Sequence, residues 1–226
     1  MSNITVQERD VVIPGQVLAE GLDYLPGDNT YRQDDKIYAR ALGLFSLSGR
    51  VAKVTALSGP YVPKTGDKII GQVQDILMSG WRISTGTAYT AMLNVKDASA
   101  RFIRVTEDLS KILAIGDFVI VVITKVTSQN LIDLTMKEPG LRKINGGRII
   151  QISSQKVPRV IGKKASMISV IKEKTGCEVT VGQNGYVWIK GDSPENECRA
   201  EQAIRLIEAK SHEEGLTDKI QQFLSK

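Results

Sequence analysis

The sequence predicts a multidomain chain that is β at first and α+β later: a small N-terminal β unit, a five-stranded barrel of the OB kind, and a final unit mixing helix with strand. Three observations carry this. Between Val11 and Met136, short β-branched and apolar runs alternate with clusters of Gly, Pro, Asn and Asp, the pattern of strands joined by turns. From Arg148 onward apolar residues recur at helical spacing, with turn and cap signals between the runs. The 226 residues suit two to three small domains as well as one large one, at about 100–200 residues per domain.

Taken in order, residues 1–65 give Val11-Val12-Ile13, Ile37 to Ala41 and Arg50 to Val54 as short strands, separated by Pro14-Gly15, Pro26-Gly27-Asp28-Asn29 and Ser58-Gly59-Pro60. A Gly/Pro cluster from Gly59 to Gly66 marks the expected boundary. Residues 66–137 carry five strands, Lys68 to Ile76, Gly80 to Ser84, Ala88 to Leu93, Phe118 to Val126 and Leu131 to Met136, which fit a small Greek-key barrel. Gly66-Asp67 and Gly116-Asp117 are turns that deliver the chain into a strand. Val95 to Ile115 is too long for a hairpin and reads as a loop with a helical turn. Residues 138–226 run strand (Arg148 to Ser154), helical turn (Val157 to Ile161), helix (Ser166 to Thr175), hairpin (Cys177 to Val181 and Tyr186 to Lys190) and a long C-terminal helix capped by Ser193 with Pro194 at its first position. Gly176 stops the second helix, and Asn184-Gly185 predicts a tight primed turn.

Composition narrows the chemistry. The longest apolar run, Phe118 to Ile123, is far short of the roughly 20 residues of a membrane span, and Met1 to Gln7 has no secretory pattern, so a cytoplasmic protein without membrane contact is expected. Cys177 and Cys198 have no Cys or His partner at ligand spacing, which argues against a zinc ribbon or a disulfide framework. With one histidine, His212, in a polar helix tail and no Gly-rich phosphate loop, no cofactor and no catalytic constellation are expected. The net charge of +5 is concentrated: residues 138–174 hold nine basic residues against Glu138 and Glu173, while residues 1–65 hold seven of each sign. So one-sided a stretch attracts polyanions.

Val160 to Ile168 (VIGKKASMI) between two helices resembles the loop of a type I KH domain, in which a Gly-x-x-Gly motif lets a nucleic-acid backbone lie close. Gly162 matches the first glycine and Ala165 stands where the second would be. Lys163 and Lys164 fill the variable positions, with Arg159 a turn before; the resemblance implies phosphate contact there. The barrel resembles the S-one domain, an OB-fold RNA binder in which aromatic residues stack on unpaired bases. Trp81 and Tyr89, with Arg82 beside Trp81, are candidates, core packing being the other use of an aromatic on a small barrel. Arg101, Phe102 and Arg104 interleave charge and ring in the long loop.

Val12 to Leu18 and Ile37 to Gly43 are similar to the N-terminal domain of exosome cap subunits, and the order of all three units resembles the KH-containing archaeal type, ribosomal RNA-processing protein four. The resemblance implies a non-catalytic subunit that binds single-stranded RNA and directs it into the pore of a ring of RNase PH-like subunits for 3′-to-5′ degradation and processing. A zinc-ribbon-type subunit in mixed caps is an implied further partner, and residues 1–65 the implied docking unit. The alternative is a transcription or translation factor built from S-one and KH modules, which usually carries two KH copies. Polynucleotide phosphorylase, which joins the same modules to a catalytic core, is a third reading.

Overall fold

In the computed structural model, which describes residues 3–99, 101, 103–104, 107–213 and 215–225, the chain forms two compact units, Met1–Pro60 and Tyr61–Lys226. The first holds two four-stranded sheets. One orders Asn3–Ile4, Val17–Glu20, Lys36–Ala39 and Thr30–Gln33; the other orders Val11–Val12, Gly43–Ser48, Val51–Ala56 and Leu25–Pro26, with only the last pair parallel. Strand alternation turns Val12, Phe45, Ala52 and Val54 of one sheet and Leu18, Ile37 and Ala39 of the other into a shared core. Val17–Glu20, Thr30–Gln33 and Gly43–Ser48 are strands beyond the three expected. Each has polar residues on its outer face, which dilutes the apolar signal.

The second unit opens with the barrel: β1 (Lys68–Leu77), β2 (Gly80–Ser84), β3 (Thr90–Asn94), β4 (Phe118–Val126) and β5 (Ile132–Thr135). The strands close in the order β2-β3-β5-β4-β1, with β3 and β5 the one parallel pair. Inward residues of every strand fill it, among them Ile69, Val73, Trp81, Ile83, Leu93, Val121, Ile123 and Leu134. The long connection after β3 forms two helical turns, Val95–Ala98 and Leu109–Lys111, and sends Ala98, Ile103 and Leu113 into the same core, plugging that barrel end. Tyr61 packs against this core and donates its hydroxyl to Asp67 at 2.5 Å. Burial, with that hydrogen bond, pushes the phenol above its ordinary range. Residues 61–65, expected with the N-terminal unit, therefore precede the barrel as part of its own compact body.

The α+β part follows as β6 (Arg148–Gln151), α1 (Val157–Ile161), α2 (Ser166–Thr175), β7 (Glu178–Val181), β8 (Tyr186–Lys190), α3 (Pro194–Ala209) and α4 (Leu216–Ser225). The sheet order is β6-β8-β7, antiparallel throughout. Val179, Val187 and Ile189 pack on the helices with Ile171, Ala203 and Ile204. The alternate residues Tyr186 and Trp188, with Ile149, meet Ile70, Phe118 and Ile120 on the outside of the barrel. The sheet is thus covered on both faces, and burying a side chain the size of Ile70 or Ile120 there contributes about 1.5–3 kcal/mol. Residues 138–147 are fastened along β4, where Arg142 O accepts the Ile120 N–H at 2.9 Å and Phe118 O accepts that of Ile144 at 2.8 Å. The barrel and the α+β part are therefore one body, joined by a paired strip of chain.

Candidate nucleic-acid interface

The loop between α1 and α2 is shaped by left-handed backbone. Gly162 sits at φ 76° and ψ 170°, where a Cβ would come within 2.7 Å of Met167 N and 2.8 Å of Met167 Cβ. Only glycine fits. Lys164 (φ 54°) and Ala165 (φ 62°) are also left-handed, each costing about 1–2 kcal/mol relative to the right-handed form for a residue with a Cβ. Ala165 thus takes a left-handed conformation that glycine adopts at lower cost, with one methyl added. Ala165, the N-cap of α2, makes no side-chain cap bond, while the Ser166 N–H donates to Lys163 O. The positive end of α2 beside Lys163 and Lys164 favours an anion.

Pairing divides the nine basic residues of the 138–174 stretch. Arg142 bonds Glu178 and lies 5.3 Å over the Trp188 ring, and Lys143 meets Asp117 at 2.5 Å. Lys156 donates to Glu208 O at 2.9 Å, and Arg148 reaches Glu201 at 2.7 Å. The Arg148 hydrogen bond, against partial burial and helped by Arg205, holds Glu201 below the ordinary carboxylate range. These four tie the fold together. Arg159, Lys163, Lys164, Lys172 and Lys174 are exposed, with no ion pair among the described residues. The free positive charge is therefore gathered on α1, the loop and α2.

On the barrel the candidates scatter. Trp81 is fully buried and donates its indole N–H to Leu113 O at 3.0 Å, so it is a core residue and presents no face to a base. Its alternation with Arg82 explains this: Trp81 and Ile83 point inward, Arg82 outward, 3.7 Å from Asp75 on β1. Tyr89 is 39% exposed in the turn before β3. Arg101 pairs with Glu107 at 2.5 Å, and Arg104 is exposed without an ion pair among the described residues; Phe102 lies outside them. The outward positions of β2 and β3 hold Arg82, Ser84, Thr90, Met92 and Asn94, so no aromatic platform lies on that face.

Sequence reasoning missed the residue that joins the two parts of this body. Instead of a primed turn, Gly182–Gly185 closes with a Gly185 N–H to Gly182 O bond of 3.0 Å, and only Gly185 among the four takes positive φ, 88°. The Asn184 side chain is 5% exposed. Its amide donates to Ile70 O (2.7 Å) and Thr85 O (2.8 Å) and accepts from Ile70 N (3.3 Å), acting on β1 as a neighbouring strand's peptide would. A Cβ on Gly182 would lie 2.5 Å from Asn184 Oδ1 and 2.9 Å from Ile70 N, so glycine is required there as well. The available signal was two aromatics, Tyr186 and Trp188, on the sheet face opposite Val187 and Ile189: a sheet apolar on both sides needs a second cover.

In the first unit, Val11 pairs with Leu44, and Ile13 and Leu42 follow directly on the pair Val12–Gly43, with the Leu57 N–H donating to Leu42 O. These positions alternate with the buried Val12 and Phe45 and so share the outer face. Val11 and Ile13 are each 60% exposed, Leu57 45% and Leu42 39%. These four aliphatic residues form one exposed apolar group on that sheet face.

Comparison with known proteins gives this arrangement relatives. The family model for the RRP4 N-terminal region of the exosome complex matches residues 11–48, and a KH-domain model matches residues 147–195. The Rrp4 component of the Thermococcus kodakarensis exosome complex is 40% identical over 227 residues, covering 99% of this chain and 88% of that one. That of Methanothermus fervidus is 38% identical, covering 97% and 96%. A solved structure assigned to the exosome complex RNA-binding proteins superposes with a TM-score of 0.67 at 32% identity, over 74% of this chain and 96% of the other. With near-complete coverage by such relatives, and with the barrel and KH unit fused as described, the chain belongs to the family of the exosome complex component Rrp4.

Proposed function

We propose that this protein is a non-catalytic cap subunit that binds single-stranded RNA through the α1–α2 loop and delivers it to a ring of RNase PH-like subunits, on which residues 1–65 dock. The observation that carries this reading is the segregation of surfaces. Free cations of the 138–174 stretch gather on α1, the left-handed loop and α2, while residues 1–65, with seven basic and seven acidic residues, carry no net charge and group Val11, Ile13, Leu42 and Leu57 on one outer sheet face. Positive charge suits phosphate, and a neutral apolar sheet face suits protein. Among the described residues no group of three His, Cys, Asp or Glu is placed to hold a metal. In this reading the ring supplies the chemistry of RNA cleavage, and the protein works in the cytoplasm.

The test is RNA binding against salt. Four phosphate contacts predict a log–log slope of about −3, at roughly −0.7 per phosphate on a single strand. Replacing Lys163 and Lys164 together by alanine removes two contacts and flattens the slope by about 1.4. Gly162→Asp is a poorer probe, since any side chain at Gly162 meets Met167 and remodels the loop. A slope unaltered in the folded double variant, or equal affinity for duplex RNA, contradicts the loop's role.

A further inference from the structure

We propose that Asn145 is a site of spontaneous modification, passing from amide to carboxylate at the seam where the barrel meets the KH part. The Gly146 nitrogen gives up its proton to water and attacks Asn145 Cγ, ammonia leaves with a proton from water, and a succinimide ring forms. Water then adds to either carbonyl of that ring. One opening gives aspartate. The other gives isoaspartate, in which the main chain runs through the side-chain methylene and is longer by that carbon.

Two asparagines, Asn145 and Asn184, precede a glycine, the residue that shields the attacking nitrogen least, and the fold treats them oppositely. Asn184 is buried, its amide makes three hydrogen bonds, and the Gly185 N–H donates to Gly182 O. Neither reacting group is free there. Asn145 is exposed, and its side-chain amide and the Gly146 N–H make no hydrogen bond among the described residues. Gly146 takes φ 70°, and the point where a Cβ would stand has nothing within 4 Å beyond the chain neighbours, so the nitrogen is unscreened. The bonds at this corner use the carbonyls instead: Lys190 Nζ donates to Asn145 O at 3.2 Å, and the Trp188 indole to Gly146 O at 2.8 Å. Just before it, the Ile144 N–H donates to Phe118 O at 2.8 Å. The strip is thus pinned to the barrel at Ile144 and to the KH sheet at Gly146, with Asn145 between. An added methylene puts those two anchors out of register, whereas aspartate changes only the charge.

The full chain is aged in warm, mildly alkaline buffer, digested and read by mass spectrometry, and isoaspartate is counted by methyl transfer from labelled S-adenosylmethionine with a protein-isoaspartate methyltransferase. The peptide containing Asn145 should gain the mass of an amide-to-acid exchange. That containing Asn184 should gain it at least about tenfold more slowly, since reaction there waits for the junction to open. Asn145→Gln, which would need a larger ring, should abolish both the mass gain at that peptide and its methyl incorporation without changing the melting temperature. Hydrogen exchange at the Ile144 amide should quicken in the aged wild type and stay as in the fresh protein in Asn145→Asp, which carries the charge without the longer backbone. No mass gain at Asn145, or a gain as fast at Asn184, overturns the assignment. A gain without methyl incorporation means direct hydrolysis in place of attack by Gly146 and overturns it equally. Unaltered Ile144 exchange with isoaspartate present overturns the loosening of the seam.

Discussion

Trp81→Ala is expected to lower the unfolding free energy by about 3–5 kcal/mol, the range for emptying a large aromatic site in a core that collapses only partly. The indole is fully buried among inward residues of the barrel, and its N–H holds Leu113 O, which fastens the loop that plugs the barrel end. Removing it therefore opens a cavity and leaves a buried carbonyl without its donor. Trp81→Phe separates the two effects, keeping most of the volume and losing about 1–3 kcal/mol for the buried carbonyl left without its donor. Denaturant unfolding read by circular dichroism measures both. Under conditions where the alanine variant stays folded, its RNA affinity should match the parent. Weakened RNA binding with an unchanged unfolding midpoint would instead make Trp81 a stacking surface and contradict its place in the core.

The second large effect is at Asn184. Asn184→Ala removes three hydrogen bonds and leaves the Ile70 N–H and the Ile70 and Thr85 carbonyls without that partner inside a closed junction. With about 1–3 kcal/mol for each buried group left unmet, partly relieved by water, the expected loss is about 2–4 kcal/mol. Asn184→Asp should be worse, because a carboxylate would face two carbonyl oxygens that need a donor. Both should loosen the barrel from the KH part, so hydrogen exchange at Ile70 and along β8 should quicken before that of Ile171 in the helical core. A loss below about 1 kcal/mol, within the range of an ordinary surface change, would mean that the amide does not hold the junction.

The legibility of the fold followed the physics of each element. Phe118–Val126 stands where its apolar run and the Gly116-Asp117 turn put it, a run continuous because its middle is buried on both faces, and Gly80–Ser84 where inward Trp81 and Ile83 alternate with Arg82. Ser166–Thr175 was legible from apolar residues at helical spacing, Ile168 and Ile171 among them, and from Gly176 just past its end. Gly43–Ser48 was not, since its serines alternate with apolar residues in a run too short to stand out. Asn184 misled for a chemical reason: Asn-Gly favours a primed turn locally, but a side chain with both donor and acceptor is worth more as a substitute peptide on β1, and that need exists only once the barrel is beside it. The same holds for charge. Nine basic residues were visible in the stretch, yet only tertiary pairing shows that Arg142, Lys143, Arg148 and Lys156 hold the fold while Arg159, Lys163 and Lys164 remain free for a ligand.

The most direct test of the account asks whether docking and RNA binding occupy separate surfaces. Gel filtration of the chain with an assembled RNase PH-like ring should show co-elution for the wild type. A variant carrying Ile13→Asp and Leu42→Asp, both on the exposed outer sheet face, should elute apart from the ring while remaining folded and binding oligouridine as the parent does. Co-elution that survives both substitutions, or phosphate-dependent RNA degradation by the isolated chain, would contradict a non-catalytic cap that docks through its N-terminal unit.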